Sequence, residues 1–242
     1  MIDTDYQRPV RSFVRREGRL TTGQKSALER LWGHYGIDFD PASPALVETP
    51  WHNFAPPGEW ILEIGFGDGE SLMAQAQGET QRLFIGVEVH RPGVGHLLMG
   101  LEAQGIPNVR VICADAAAVV PHLPAEGFAR VQIFFPDPWP KKRHHKRRLI
   151  QPPFVDQLVR LLGSGGQLHL ATDWEPYAEH MLAVLNQCPG LVNVADDGGY
   201  APRPATRPAT KFERRGTDRG HPVRDLIFIK VDPGRDTDAP TP

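Results

Sequence analysis

The chain has 242 residues, with 27 Lys and Arg against 29 Asp and Glu and a formal net charge of −2. A hydrophobic fraction of 40%, with 8% aromatic residues, is enough for a packed core and excludes wholesale disorder. No apolar run approaches the about 18 residues of a membrane span, the first twenty residues hold five arginines and no apolar signal core, and Cys113 and Cys188 build neither a disulfide framework nor a C-x-x-C metal site. A reduced, cytoplasmic globular protein is expected.

In chain order, residues 1–7 are polar and read as a frayed end. Residues 21–32 read as a helix: Thr21 or Thr22 caps it, Ala27, Leu28, Leu31 and Trp32 fall at helical spacing, and Gly33 stops it. Residues 36–58 are rich in Pro, lack a period and read as a connecting segment. Short apolar runs then recur at 60–64, 83–89, 109–113, 131–135, 167–171 and 227–231. Helical patterns at 70–77, 94–103, 154–162 and 174–186 lie between them. Strand and helix alternating in this way predict an α/β fold with a mostly parallel sheet covered on both faces. The domain reading is a basic extension and connector at 1–58, one α/β domain at 59–231 and a frayed tail at 232–242.

The near-zero net charge hides an uneven distribution. Residues 8–30, 141–148 and 203–224 hold 20 of the 27 basic side chains and 4 of the 29 acids, a local balance of +16, which leaves −18 for the rest. Either these segments converge on one face that meets a polyanion, or they are three solvated loops.

The first strand runs into Gly65-Phe66-Gly67-Asp68-Gly69, which opens a helix. Glycines there let the chain turn sharply and let a ligand approach the backbone. The third glycine comes one residue too early for the G-x-G-x-x-G dinucleotide fingerprint, so a pyrophosphate is a poor fit. Acids at strand ends sharpen the reading. Glu63 ends the first strand. Glu88 ends the second, about 20 residues after the glycine loop, where an acid accepts hydrogen bonds from two ribose hydroxyls. Asp115 follows the third strand, where it either reads an adenine edge or caps a helix. Together with the loop, the three acids point to a nucleoside cofactor.

After the fourth strand come Phe135-Pro136-Asp137-Pro138-Trp139-Pro140 and the basic run Lys141, Lys142, Arg143, His144, His145, Lys146, Arg147, Arg148. Two prolines restrict the backbone around Asp137. The basic run is suited to phosphates, and Trp139 to stacking on a base. Asp173, in Thr172-Asp173-Trp174-Glu175-Pro176, reads as a helix N-cap.

The glycine loop with its strand-end acids resembles class I S-adenosylmethionine-dependent methyltransferases. The match sharpens through Arg-Ser-Phe-Val-Arg-Arg-Glu-Gly-Arg at residues 11–19, Gly-Val-Glu-Val-His-Arg at 86–91, the 135–148 stretch, Ala-Thr-Asp-Trp-Glu-Pro-Tyr-Ala at 171–178 and Thr-Lys-Phe-Glu-Arg-Arg-Gly at 210–216. In this order they resemble the bacterial tRNA (guanine-N7-)-methyltransferase family, over residues 11 to about 229. The resemblance implies a Rossmann-like class I fold with S-adenosyl-L-methionine as cofactor and the guanosine at position 46, in the variable loop of tRNA, as substrate. It implies cofactor contacts at Glu63, Gly65, Gly67, Glu88, Asp115 and Asp137, with Asp137 also catalytic. It places the guanosine against Lys141, Asp173, Thr210, Lys211, Phe212 and Glu213, and the tRNA backbone against Arg143, His144, His145, Lys146, Arg147 and Arg148. No metal, no membrane and no obligate protein partner is implied, and the protein would act as a monomer or homodimer.

Guanine N7 carries an in-plane lone pair and no proton, so its methylation needs alignment and charge stabilisation rather than a general base. Other readings are a nicotinamide dehydrogenase on the same layout, a methyltransferase of another RNA, and a non-enzymatic RNA-binding module. The glycine spacing disfavours the first, and the intact Glu63, Gly65, Gly67, Glu88 and Asp137 disfavour the last.

Overall fold

Fully buried strands and two-sided helix cover follow from the near-continuous apolar runs of the sequence. In the computed structural model, which describes residues 18–40, 56, 58–208 and 222–232, eight strands form one sheet. They are β1 (Gly36–Ile37), β2 (Trp60–Ile64), β3 (Leu83–Val87), β4 (Val109–Ile112), β5 (Phe128–Phe134), β6 (Leu162–Thr172), β7 (Leu191–Asn193) and β8 (Arg224–Lys230). Their order is β1-β4-β3-β2-β5-β6-β8-β7. Pairing is parallel from β1 to β6 and antiparallel where β8 meets β6 and β7.

Six α-helices are described: α1 (Thr22–Tyr35), α2 (Glu70–Gly78), α3 (Arg91–Gln104), α4 (Ala116–Val119), α5 (Pro152–Leu161) and α6 (Glu175–Asn186). Alternation along each strand divides the core. Ile61, Phe84, Val109 and Val111 face one way and pack with Leu72 of α2 and Leu97, Leu98 and Leu101 of α3. Leu62, Ile85, Val131 and Leu168 face the other way and pack with Leu158 of α5 and Met181 and Leu185 of α6.

The amino-terminal helix differs from the sequence expectation. Thr21 caps it in a reciprocal box with Gln24, with bonds of 3.2 Å and 2.9 Å. It runs through Gly33, because one glycine in a packed helix is tolerated, and ends at Gly36. Arg30 grips Glu102 of α3 with both arms of its guanidinium, at 2.7 Å and 2.9 Å. The first residues of the stretch expected to be only a connector form β1, an edge strand on β4. Two short elements, α4 and β7, escaped the sequence reading because four and three residues are too few to show a period. β5, β6 and β8 begin three to five residues earlier than expected.

Candidate active site at the carboxyl edge of the sheet

The strand order reverses between β2 and β5, and open α/β sheets bind ligands in the crevice at such a switch point. A cavity of about 190 Å³ opens there. Gly65, Glu88, Asp115 and Asp137 line it, and Val87, Ile133, Phe134 and Leu149 supply apolar wall. Four residues that the sequence reading scattered over 73 positions thus meet in one space.

The glycine loop is built from left-handed backbone. Gly65, Gly67 and Gly69 have φ of 75°, 63° and 81°. A Cβ on Gly65 or Gly67 would point into open space, so conformation demands glycine there and the bare backbone is open to a ligand. Gly67 does not line the cavity, but its amide donates to Glu88 Oε2 at 2.9 Å. Glu88 Oε1 accepts from the amides of Val89, at 2.7 Å, and His90, at 2.9 Å. The carboxylate therefore ties the glycine loop to the β3–α3 turn while facing the cavity. Asp115 caps α4, accepting from the Ala117 amide at 3.0 Å, and it also lines the cavity.

Glu63 lies elsewhere. It is 2% exposed, outside the cavity lining, and opposite Gln132 across the β2–β5 pair. Gln132 Nε2 donates to its carboxyl at 2.6 Å. Burial pushes the Glu63 carboxyl up to about 7; the Gln132 hydrogen bond and the Arg130 charge pull it down, and the Glu88 charge raises it. Its place is beneath the loop, within the sheet.

Asp137 sits in an unusual segment. Phe135 and Trp139 both adopt left-handed backbone, with φ of 53° and 45°, and Pro136 and Pro138 stand on either side of the aspartate. Non-glycine residues in that region cost of order 1–3 kcal/mol each and persist only where their surroundings impose them. Here the Phe135 amide donates to Ala171 O at 2.8 Å, and Arg148 Nε donates to Pro138 O at 3.0 Å.

Trp139 does not present the open face expected for stacking on a base. It is 9% exposed, the Arg147 guanidinium lies 3.7 Å over its ring, and His144 approaches edge-on. The basic run folds into a 3₁₀ turn over Lys142–Arg147. Lys141, Arg143 and Lys146 are exposed, and His144, His145 and Arg147 are half-buried. Burial and the charges of Arg143, Arg147, Lys141 and Lys146 hold the His144 imidazole below its ordinary value. Arg148 is the departure: it is only 4% exposed, and its guanidinium donates to Pro138 O and Pro176 O.

Asp173 follows the end of β6, half-buried. It is not the helix cap: Trp174 occupies that position, and Thr172 Oγ1 accepts the Trp174 amide at 3.2 Å. Thr210, Lys211, Phe212 and Glu213 lie outside the described residues, as do residues 8–17 of the amino-terminal basic segment.

The third basic segment is partly spent inside the molecule. Arg207 is 1% exposed and forks onto Asp225 at 2.7 Å and 3.0 Å, and His169 Nε2 shares Asp225 Oδ1 at 2.7 Å. Burial pushes the Asp225 carboxyl up, but the His169 and Arg207 bonds outweigh it and hold the group below the usual range. Arg203 donates to Arg207 O, and Arg224 pairs with Glu175. Arg207 is thereby withdrawn from any polyanion-facing surface, while Arg203 stays exposed. Sequence reasoning missed this cluster and the Glu63–Gln132 pair. A polar residue inside an apolar strand run, as at Gln132, His169 and Asp225, was the available signal. Among the described residues no helix is long and apolar enough to cross a membrane, and no group of three or more His, Cys, Asp or Glu side chains gathers to hold a metal.

Comparison with known proteins gives the family. The family model described as "Putative methyltransferase" matches residues 58–226. The tRNA (guanine-N(7)-)-methyltransferase of Alkalilimnicola ehrlichii is 55% identical over 226 residues, covering 93% of this chain and 94% of its own. That of Aeromonas hydrophila is 51% identical, covering 95% of each. Among solved structures, a 16S rRNA (adenine(1408)-N(1))-methyltransferase variant from Catenulisporales acidiphilia with cosubstrate SAM superposes with a TM-score of 0.53 at 17% identity, covering 84% of this chain and 96% of its own. The aminoglycoside resistance methyltransferase NpmB1 superposes with a TM-score of 0.50 at 20% identity, covering 78% and 94%. These last two show a shared fold. With half or more of its residues identical to these relatives over nearly its whole length, the chain belongs to the tRNA (guanine-N(7)-)-methyltransferase family.

Proposed function

We propose that this chain transfers the methyl group of S-adenosyl-L-methionine to N7 of a guanosine in tRNA, at position 46 of the variable loop. The meeting of Glu88, Asp115 and Asp137 around one cavity at the switch point carries the reading. The site fits the cofactor on two counts. Carboxylates at the ends of β3 and β4 suit ribose hydroxyls and an adenine amine, and bare left-handed backbone at Gly65 suits close approach of the methionine part. When bound, S-adenosyl-L-methionine supplies an electrophilic methyl group on a cationic sulfur.

Glu88 holds the ribose end while its amide bonds keep it oriented. Asp115 reads the base end from the first turn of α4. Asp137 places a fixed negative charge on the rim, where it stabilises cationic charge as that charge moves onto the purine. Asp173, free of a capping duty, accepts from guanine N1–H and the 2-amino group, donors that adenine lacks at those positions; a site built on those bonds rejects a base without them strongly. Lys141, Thr210, Lys211, Phe212 and Glu213 complete the guanosine contacts. Arg143, Lys146 and Arg147, with His144 and His145, meet the tRNA backbone. Glu63 acts from below, supporting the loop. The enzyme works in the cytoplasm as a monomer or homodimer, without an obligate protein partner.

Methylation of a mixed tRNA pool, followed by mapping of 7-methylguanosine, tests the reading. The modification is expected at the variable-loop guanosine alone. Methyl groups on another base, or on ribosomal RNA in preference to tRNA, would overturn it.

A further inference from the structure

We propose that Arg148 is a positioning residue, whose guanidinium fastens the Asp137 segment to the start of α6 and so sets Asp137 and Asp173 at a fixed separation. The inference rests on the roles given to those two aspartates.

The Asp137 segment has few means of holding itself. Pro136, Pro138 and Pro140 offer no amide, so the segment must be fixed largely through its carbonyls. It is flanked by two left-handed residues, Phe135 and Trp139, whose conformation must be imposed from outside. Arg148 supplies part of that restraint, beside the bond from the Phe135 amide to Ala171 O. Its Nε donates to Pro138 O at 3.0 Å, directly after Asp137. Its Nη1 donates to Pro176 O at 3.4 Å, in the first turn of α6, three residues beyond Asp173. Its Nη2 meets His145 Nε2 at 3.3 Å, in the basic turn. The guanidinium carbon lies 4.8 Å from the centroid of the buried Tyr177 ring, whose hydroxyl accepts the Ile150 amide at 3.2 Å.

One planar group therefore joins the Asp137 segment and the basic turn that follows it to the distant start of α6. A lysine cannot do this, because its ammonium is a single point on a flexible stem. Burying a charge against carbonyls and an imidazole is costly, and burial lowers the guanidinium's affinity for its proton. That cost sets Arg148 apart from Arg143 and Lys146, which stay in solvent where phosphates are.

The test compares Arg148→Met and Arg148→Lys with Asp137→Asn, with an Arg143→Ala/Lys146→Ala double variant, and with an Arg148→Met/Asp137→Asn double variant. Single-turnover methyl transfer is measured at saturating tRNA and S-adenosyl-L-methionine, with tRNA affinity followed against salt. Arg148→Met is expected to slow the transfer on the order of 10–100-fold, the loss that a displacement of about 1 Å produces. Arg148→Lys should recover only part of it, and the salt slope of tRNA binding should match the wild type in both. In the Asp137→Asn background, Arg148→Met should cost little more, because it acts through a group already disabled.

A wild-type rate in either folded Arg148 variant overturns the proposal. So does a flattened salt slope at an unchanged rate, which would return Arg148 to the phosphate-binding run. Full additivity with Asp137→Asn, or loss of folding in both variants, would leave only a structural role and likewise overturn it. The underlying reading fails separately: a wild-type rate in Asp137→Asn removes the catalytic role of Asp137 whatever Arg148 does.

Discussion

The two halves of the site hold their carboxylates in different ways. On the glycine-loop side, Glu88 and Asp115 are wired to backbone amides: Glu88 accepts from Gly67, Val89 and His90, and Asp115 accepts from Ala117. On the other side, Asp137 is placed by its neighbours' backbone, between two prolines and two left-handed residues. The difference matches the tasks. A cofactor must enter and leave, and under the proposed assignment a carboxylate already oriented by backbone amides takes up ribose hydroxyls with little rearrangement. A reacting centre needs a charge at a fixed point before the transition state forms, and stiff backbone provides it at no reorganisation cost.

Replacing Asp137 by alanine should break this contrast most sharply. Single-turnover methyl transfer should fall by at least about 10²–10³-fold, as when a preorganised charge-stabilising group is removed, while the protein remains folded. Near-normal rates in stopped-flow or quench assays would take Asp137 out of the catalytic role.

Glu88→Ala should act on the other half. S-adenosyl-L-methionine affinity is expected to drop by about 10–100-fold, through lost hydrogen bonds to a charged acceptor, with tRNA affinity nearly constant. Separate titrations of the two ligands decide it; an unchanged cofactor affinity contradicts the assignment.

Glu63 lies beneath both halves and sharpens the comparison through pH. Its native carboxyl titrates at about 7, above its ordinary 4.5, so between those values the folded chain holds a proton that the unfolded chain has lost. Its contribution to stability is therefore full below pH 4.5, falls as pH rises through that window and levels off above pH 7. Glu63→Gln should remove this slope and raise stability at pH 8 by up to about 3 kcal/mol. Denaturant titrations of both proteins from pH 4.5 to 8 check it, and parallel curves would show that Glu63 is not the group responsible.

The smallest effect belongs to the solvent-facing turn. Arg143→Ala with Lys146→Ala should flatten the slope of log tRNA affinity against log salt by about 1.5, weakening all tRNAs alike, with cofactor affinity unchanged. An unchanged slope would mean that the run is merely solvated, and weakening of some tRNAs only would mean that it reads sequence or shape.

The strands, their buried character, the glycine loop and the strand-end acids were open to reading from the chain alone. Each depends on local pattern: apolar runs of strand length, glycine where backbone must be left-handed, an acid at a strand's end. Gly65, Glu88, Asp115 and Asp137 could be singled out this way, and their motifs resembled one enzyme family. What each side chain faces was not open to such reading, because that depends on residues far away in sequence. A basic run of six cations in eight residues looks uniform as a string, yet tertiary packing sends Arg148 inward to Pro138 and Pro176 and leaves Arg143 in water. Trp139 looked free to stack until Arg147 folded over it. Asp173 looked like a helix cap until Thr172 took the amide. Glu63 could be singled out as a strand-end acid, but its bond to Gln132, 69 residues away, could not. The pattern of the chain determined which elements form and which chemistry is present; only the packing of distant segments decided which of those groups are left to act.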